Sequence, residues 1–247
     1  MNNEVTALLS AEMAPTGTLR VALNLSNFLL VTQAPTPGQE AVGIAPDIGR
    51  DIAAALGVPV TFVPYPSPGE LAAAAAAGVW DVGLIGADPL RAAEIAFTDA
   101  YIEIEASYLV PAGSPITTLA EVDRPGVRIS VGDKTAYDMY LRRTLQHATL
   151  HRAAGLEGSY QLFVNERLDA LAGLKPRLVT DQVRLPGSRL LEGRFTAVQQ
   201  AIGVPIARMA AAAWLQGFVR HIKCARVAEL IARHGVQGVS VAALGAE

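Results

Sequence analysis

Arg91 is the residue whose setting most suggests chemistry. It follows Asp88-Pro89, which follows an apolar run, Val82 to Ile85, closed by Gly86. The run reads as a buried strand. The dipeptide reads as a helix start, with Asp88 at the N-cap and Pro89 at the first helical position. Arg91 then falls in a first turn, where the helix dipole disfavours a cation. A guanidinium there makes sense beside an anion, because it and the unsatisfied backbone N–H groups then point at one negative group. The alternative is that Arg91 pairs with Asp88 or Glu94, three residues away on either side.

A second anion-directed start lies at Asp133-Lys134-Thr135. It follows the strand pattern VRISVG and precedes a helix expected over Ala136 to Gln146. Thr135 can cap that helix or present its hydroxyl outward, and the N–H groups of Thr135 and Ala136 are available at such a start. Arg91 and this helix start together would clamp one carboxylate from two sides. Tyr137 and Asp138 either reach the ligand or cover the first turn. Asn24, Ser26 and Asn27 follow the strand pattern Thr18 to Leu25. Open α/β sheets bind ligands beyond their strand ends, although Asn and Ser serve turns equally well.

Other chemistries find little support. No Ser-His-Asp arrangement, phosphate-binding glycine loop or metal motif is present. His147 and His151 are four apart, but Thr149-Leu150 between them reads as strand, so no metal and no cofactor are expected. Cys224 is the one cysteine, which excludes an internal disulfide. The net charge is −3 with no long basic run, which argues against a nucleic-acid partner. The densest apolar stretch, Leu71 to Trp80, is shorter than the roughly 20 residues a membrane span needs. The start, MNNEVTALLSAEMAPTG, has no positive n-region and no apolar h-region of useful length, unlike a secretory signal.

The elements that must position these residues alternate. A strand at Thr18–Leu25 is followed by a Pro- and Gly-rich loop over 33–43 and a helix from Pro46 that stops at Gly57. Ile48, Ile52 and Leu56 share the core face of that helix. A strand at Val58–Val63, a turn at Pro66–Gly69, a helix at Glu70–Ala77 and a strand at Asp81–Ile85 complete a βαβ series. Ile102–Val110 alternates and reads as a long crossing strand with Glu103 and Glu105 facing solvent. A second series runs through Val127–Gly132, a helix to Gln146, Thr149–Arg152, a helix at Leu156–Glu166 with Tyr160, Phe163 and Val164 inward, Leu168–Leu171, and a helix at Pro176–Val183. Gly193–Pro205 reads as a return crossing. Helices at Ile206–Lys223 and Arg226–His234 follow, the first with a core stripe of Trp214, Phe218 and Ile222.

The stretch Gly86-Ala87-Asp88-Pro89-Leu90-Arg91, then Ile95-Ala96-Phe97-Thr98-Asp99-Ala100-Tyr101, resembles the type II periplasmic binding proteins, specifically extracellular solute-binding proteins of family 3. Their pattern is a strand ending in small residues, Thr-x-x-Arg, then an apolar residue, Phe, Ser or Thr, Asp, x, Tyr. The resemblance runs in order from about Gly17 to Gly235. It implies an α/β fold of two lobes, each a βαβ sheet, joined by two crossover hinge strands. Lobe 1 would comprise 14–104 and 199–247, and lobe 2 would comprise 105–198. A ligand between the lobes would hold them closed if it binds that form better.

The resemblance also implies a site. Arg91 and Thr135 match ligand-carboxylate contacts, and Lys134 replaces a glycine. Gly86 takes the place of a serine that contacts the ligand amine. The two aromatic platforms match Asn27 and Pro68, with Phe28 one residue from the first. The acid that takes the ligand ammonium follows the strand Arg167-Leu168-Asp169-Ala170, and its position is Leu174. A leucine leaves that charge unpaired, at a cost of several kcal/mol. The expected ligand therefore bears a carboxylate, or is another small anion, and lacks a standard free α-amino group: an organic acid, hydroxy acid or modified amino-acid derivative, with Asn24, Asn27 and Asp88 as its hydrogen-bonding residues. The resemblance implies a monomeric solute-binding protein that is not an enzyme, with the membrane subunits of an ABC transporter as partners and a periplasmic location. If this chain start is native, a cytoplasmic sensor or scavenger on the same fold is the alternative. A cyclohexadienyl-dehydratase-like enzyme is a further one, with Asp88, Glu103, Glu105 and Asp138 as the carboxylates that could serve it.

Overall fold

The computed structural model describes residues 9–243. Residues 1–8, half of the segment read above for leader features, and residues 244–247 at the end of the expected lobe 1 lie outside the described residues. The chain forms two compact units, 1–103 with 199–247 and 104–198.

Unit 1 is built on strands β1 (Leu19–Asn24), β2 (Val60–Tyr65), β3 (Val82–Gly86) and the second half of β9 (Thr196–Pro205), in the order β2-β1-β3-β9. The first three run parallel and β9 runs antiparallel to β3. Helix α1 (Ile44–Leu56) buries Ile48, Ile52 and Leu56 and ends at Gly57. Gly57 takes φ 69, a left-handed cap that favours glycine. Helix α2 (Pro68–Ala73) starts earlier than the sequence pattern suggests, because Ser67 caps it by accepting from the Glu70 amide at 3.2 Å. It ends at Ala73, and Ala75–Ala77 continues as a separate 3-10 turn. Leu71, Trp80, Ile85 and Ile95 form the core on this side.

The helix expected after Asp88-Pro89 is absent. Only a 3-10 turn, Arg91–Ala93, fits there before strand β4 (Ile95–Val110) begins. That strand is sixteen residues long, against the nine read from alternation. Asp81 is fully buried and ties the unit together. Arg20 grips it through Nε at 2.9 Å and Nη2 at 2.7 Å, and Arg208 through Nη1 at 2.8 Å.

Unit 2 orders its strands β4-β7-β5-β6. Here β5 (Arg128–Gly132) runs parallel to both β6 (Thr149–Ala153) and β7 (Ala170–Leu174), and β4 runs antiparallel to β7. Helices α3 (Ala136–Thr144), α4 (Gly155–Asn165) and α5 (Lys175–Arg184) connect them. Strand β7 begins two residues later than expected, because Arg167 turns the chain at φ 49. Tyr160 and Phe163 are buried as expected, whereas Val164 is half-buried. Glu105 is not simply solvent-facing: Lys175 donates to it, and Arg194 lies 3.5 Å away. A two-residue strand β8 (Arg189–Leu190) pairs with β4.

After β9 come α6 (Met209–Lys223), α7 (Arg226–Arg233) and a short β10 (Val239–Val241). The core stripe of α6 is Ala211, Leu215, Val219 and Ile222. Trp214 and Phe218 sit half-buried on its flank, stacked at 5.6 Å.

Candidate functional site

In unit 1 the expected residues gather at the C-terminal ends of β1 and β3. Leu23 pairs with Leu84, so Asn24 and the loop after it run beside Ile85 and Gly86. Arg91 is 6 % exposed, and its Nη1 donates to the Gly86 carbonyl oxygen. Burial pushes this guanidinium down to about 10, against the pull of the Asp88 carboxylate. Desolvation of this kind marks a candidate functional position and equally a structural one.

Asp88 caps a single turn. Its Oδ1 accepts from the Leu90 amide at 2.8 Å, and its carbonyl accepts from the amides of Arg91 and Ala92. The Asn24 side chain holds the turn after β1, accepting from the Ser26 hydroxyl at 2.8 Å and the Ser26 amide at 3.2 Å. Asn27 is buried, and its Oδ1 has no hydrogen-bond partner among the described residues. Phe28 beside it is 39 % exposed.

Unit 2 supplies the helix start. Thr135 caps α3, accepting from the Asp138 amide at 3.1 Å and donating to the Gly132 carbonyl at 2.9 Å. Its hydroxyl is thus committed to the cap, and Ala136 is the first helical residue. Lys134 sits at φ 56, the left-handed region that favours glycine. The lysine therefore holds a backbone conformation that a glycine would adopt without strain, and carries an ammonium there. Asp138 is fully buried. It accepts from the Lys134 amide and is held by Arg142 and Arg152, so it covers the turn. Tyr137 is also buried, and desolvation pushes its hydroxyl up to about 12. Leu174 ends β7 and precedes α5 without any side-chain cap.

A buried polar residue opposite Gly86 was missed. Gln200 lies in β9 opposite Gly86 and is buried, with its Oε1 unpartnered among the described residues. The only signal for it is the Gln199-Gln200 pair interrupting an apolar strand. No group of three or more His, Cys, Asp or Glu residues among the described residues could hold a metal ion.

The family model of the bacterial extracellular solute-binding proteins, family 3, matches residues 26–235. The chain belongs to that family. Solved structures agree with this solute-binding protein in fold. The solute receptor for L-cysteine of Neisseria gonorrhoeae matches at TM-score 0.73 and 19% identity, covering 95% of each chain. An ancestral amino acid-binding protein, a precursor of cyclohexadienyl dehydratase, matches at 0.71 and 20%, covering 92% of this chain and 98% of that one. The substrate binding protein of an amino acid ABC transporter matches at 0.71 and 17%, covering 88% and 98%. At such identities these likenesses establish the mixed α/β fold of the type II periplasmic binding proteins. Among curated proteins none matches the sequence. No helix of the described residues is long and apolar enough to cross a membrane.

Proposed function

We propose that this solute-binding protein captures a small ligand that bears a carboxylate and lacks a free α-ammonium, for delivery to an ABC importer. Organic acids, hydroxy acids and N-modified amino acids fit that description. The observation that carries the reading is the buried, desolvated Arg91 guanidinium at the Gly86 carbonyl. It would take the carboxylate, with hydrogen bonds from the side-chain amides of Asn24 and Asn27, the Asp88 turn beside it, contact at Gly86 and apolar contact from Phe28. In unit 2, the amides of Thr135 and Ala136 and the Lys134 ammonium would form an anion-directed helix start, with Tyr137 next along it. Leu174 supports the absence of an α-ammonium, since neither it nor the Lys175 that follows offers negative charge.

Binding is favoured over catalysis by the state of the carboxylates. Asp88, Glu105 and Asp138 are each committed to hydrogen bonds or ion pairs. A general acid needs a proton to give near neutral pH. The Glu105 carboxyl is instead held below its ordinary value, chiefly by the Lys175 hydrogen bond.

Isothermal titration with a panel of organic acids, N-acetylated amino acids and free L-amino acids tests the reading. The expected result is binding by members of the first two classes, lost in Arg91→Met. Tight binding of an unmodified L-amino acid would overturn the ligand class. Binding that survives Arg91→Met would remove the carboxylate contact.

A further inference from the structure

Two buried carboxamides near Arg91 have oxygens that the fold does not use. Gln200 is 4 % exposed and Asn27 is 6 % exposed, and neither the Oε1 of the first nor the Oδ1 of the second meets a donor among the described residues. A buried acceptor in that state has given up water and gained nothing, which native folds rarely tolerate without a use.

The strand register places Gln200 beside one glycine, and the loop after β1 brings Asn27 to the same end of the sheet. Gln200 stands opposite Gly86 across β3 and β9, and the Gly86 carbonyl receives the Arg91 guanidinium. On the other side of β3 lies β1, whose C-terminal loop carries Asn27, tied back by its amide to the Asn24 carbonyl at 3.1 Å. Cross-strand partners share a face of the sheet. A glycine opposite therefore gives the Gln200 side chain no side-chain neighbour on the β3 side.

We propose that Gln200 and Asn27 form a hydrogen-bonding subsite for a hydroxyl, or an acylated N–H, carried next to the ligand's carboxylate. The inference rests on the carboxylate reading of Arg91. A carboxamide presents an acceptor and two donors side by side. A hydroxyl can both give to the oxygen and take from the nitrogen. An ammonium is served less well, because two neutral oxygens do not neutralise its charge. Gln200 is thus a specificity-determining residue, selecting among small acids by the substituent beside the carboxylate.

The test uses matched probes that differ by one hydroxyl: L-malate against succinate, and L-lactate against propionate. Each is titrated calorimetrically into the wild-type protein and the Gln200→Leu, Gln200→Met and Arg91→Met variants. In the wild type the hydroxy member of at least one pair should bind about tenfold more tightly than its partner, the worth of one hydrogen bond to a buried group. In both Gln200 variants that ratio should fall to near one, with the deoxy acid bound as in the wild type. The ligand-free melting temperature of Gln200→Leu should not fall, since the variant removes an unmet acceptor. A wild type with no hydroxyl preference, including one that binds none of the four acids, overturns the inference. So does a preference that survives in both Gln200 variants. Equal binding within each pair, lost in Arg91→Met, would sink this inference alone. Binding indifferent to Arg91→Met would sink the carboxylate reading beneath it.

Discussion

The backbone amide of Lys134 donates to the buried carboxylate of Asp138 at 3.0 Å. Because Arg142 and Arg152 hold that carboxylate from other directions, the amide is pinned and the lysine is kept at φ 56. A left-handed residue with a side chain costs roughly 1–2 kcal/mol. Glycine removes that strain but adds about 0.4–1 kcal/mol of unfolded-state entropy. Lys134→Gly should therefore stabilise by about 0.5 kcal/mol, read as a small rise in melting temperature. Anion affinity should fall in the same variant, because the ammonium is gone.

Asp81 is the point of greatest electrostatic stake in unit 1. Burial alone would raise its pKa, but hydrogen bonds from Arg20 and Arg208 outweigh that and hold it below its ordinary value. A lowered folded pKa contributes stability above the unfolded value, about 3.9, and loses it as pH falls through the folded value. Asp81→Asn should destabilise by about 3 kcal/mol at neutral pH, since it leaves two guanidiniums against a neutral amide. In denaturant melts between about pH 5 and pH 2, the variant should lose less stability than the wild type.

Arg91 should show the opposite balance. Its folded pKa, pushed down to about 10 by burial, means that the charged form is disfavoured by folding at neutral pH. Arg91→Met keeps the length and drops the charge. The ligand-free protein should become more stable by about 1 kcal/mol, while anion binding is lost. A loss of stability instead would mark Arg91 as structural, and chemical denaturation beside titration separates the two.

Leu174→Asp adds a negative charge at the end of β7. The position also precedes α5, whose start lacks a side-chain cap. An aspartate there should cap the helix for about 1 kcal/mol and bring free L-amino acids into measurable binding. Calorimetry with a panel of neutral amino acids checks the second effect, and thermal melts check the first.

The alternating strands and the α1 stop at Gly57 were legible because each rests on local chemistry: apolar period, cap residue, left-handed glycine. The turn after Asp88 was not, because an Asp-Pro start looks the same for a full helix and for one turn. What decides is that β4 resumes at Ile95. The stripe on α6 was misplaced because two apolar stripes lie side by side, and packing chose the one with smaller residues, Ala211 to Ile222. Arg91 could be read as a candidate from its position after Asp-Pro. Gln200 could not, since a polar residue in a strand says nothing about whether its side chain finds a partner. That fact exists only once β3, β9 and the β1 loop are assembled.

Unit 1 is written in two pieces, with the whole of unit 2 between them. On the ribosome, the inner segment can finish folding while the outer one still waits for its last third. Asp81 emerges 127 residues before the Arg208 that binds it, so the nascent first half carries a buried-type carboxylate with one of its two guanidiniums missing. Interrupted translation past unit 2 would release a chain with one mature half and one open edge at β3, the kind of intermediate that chaperones attend.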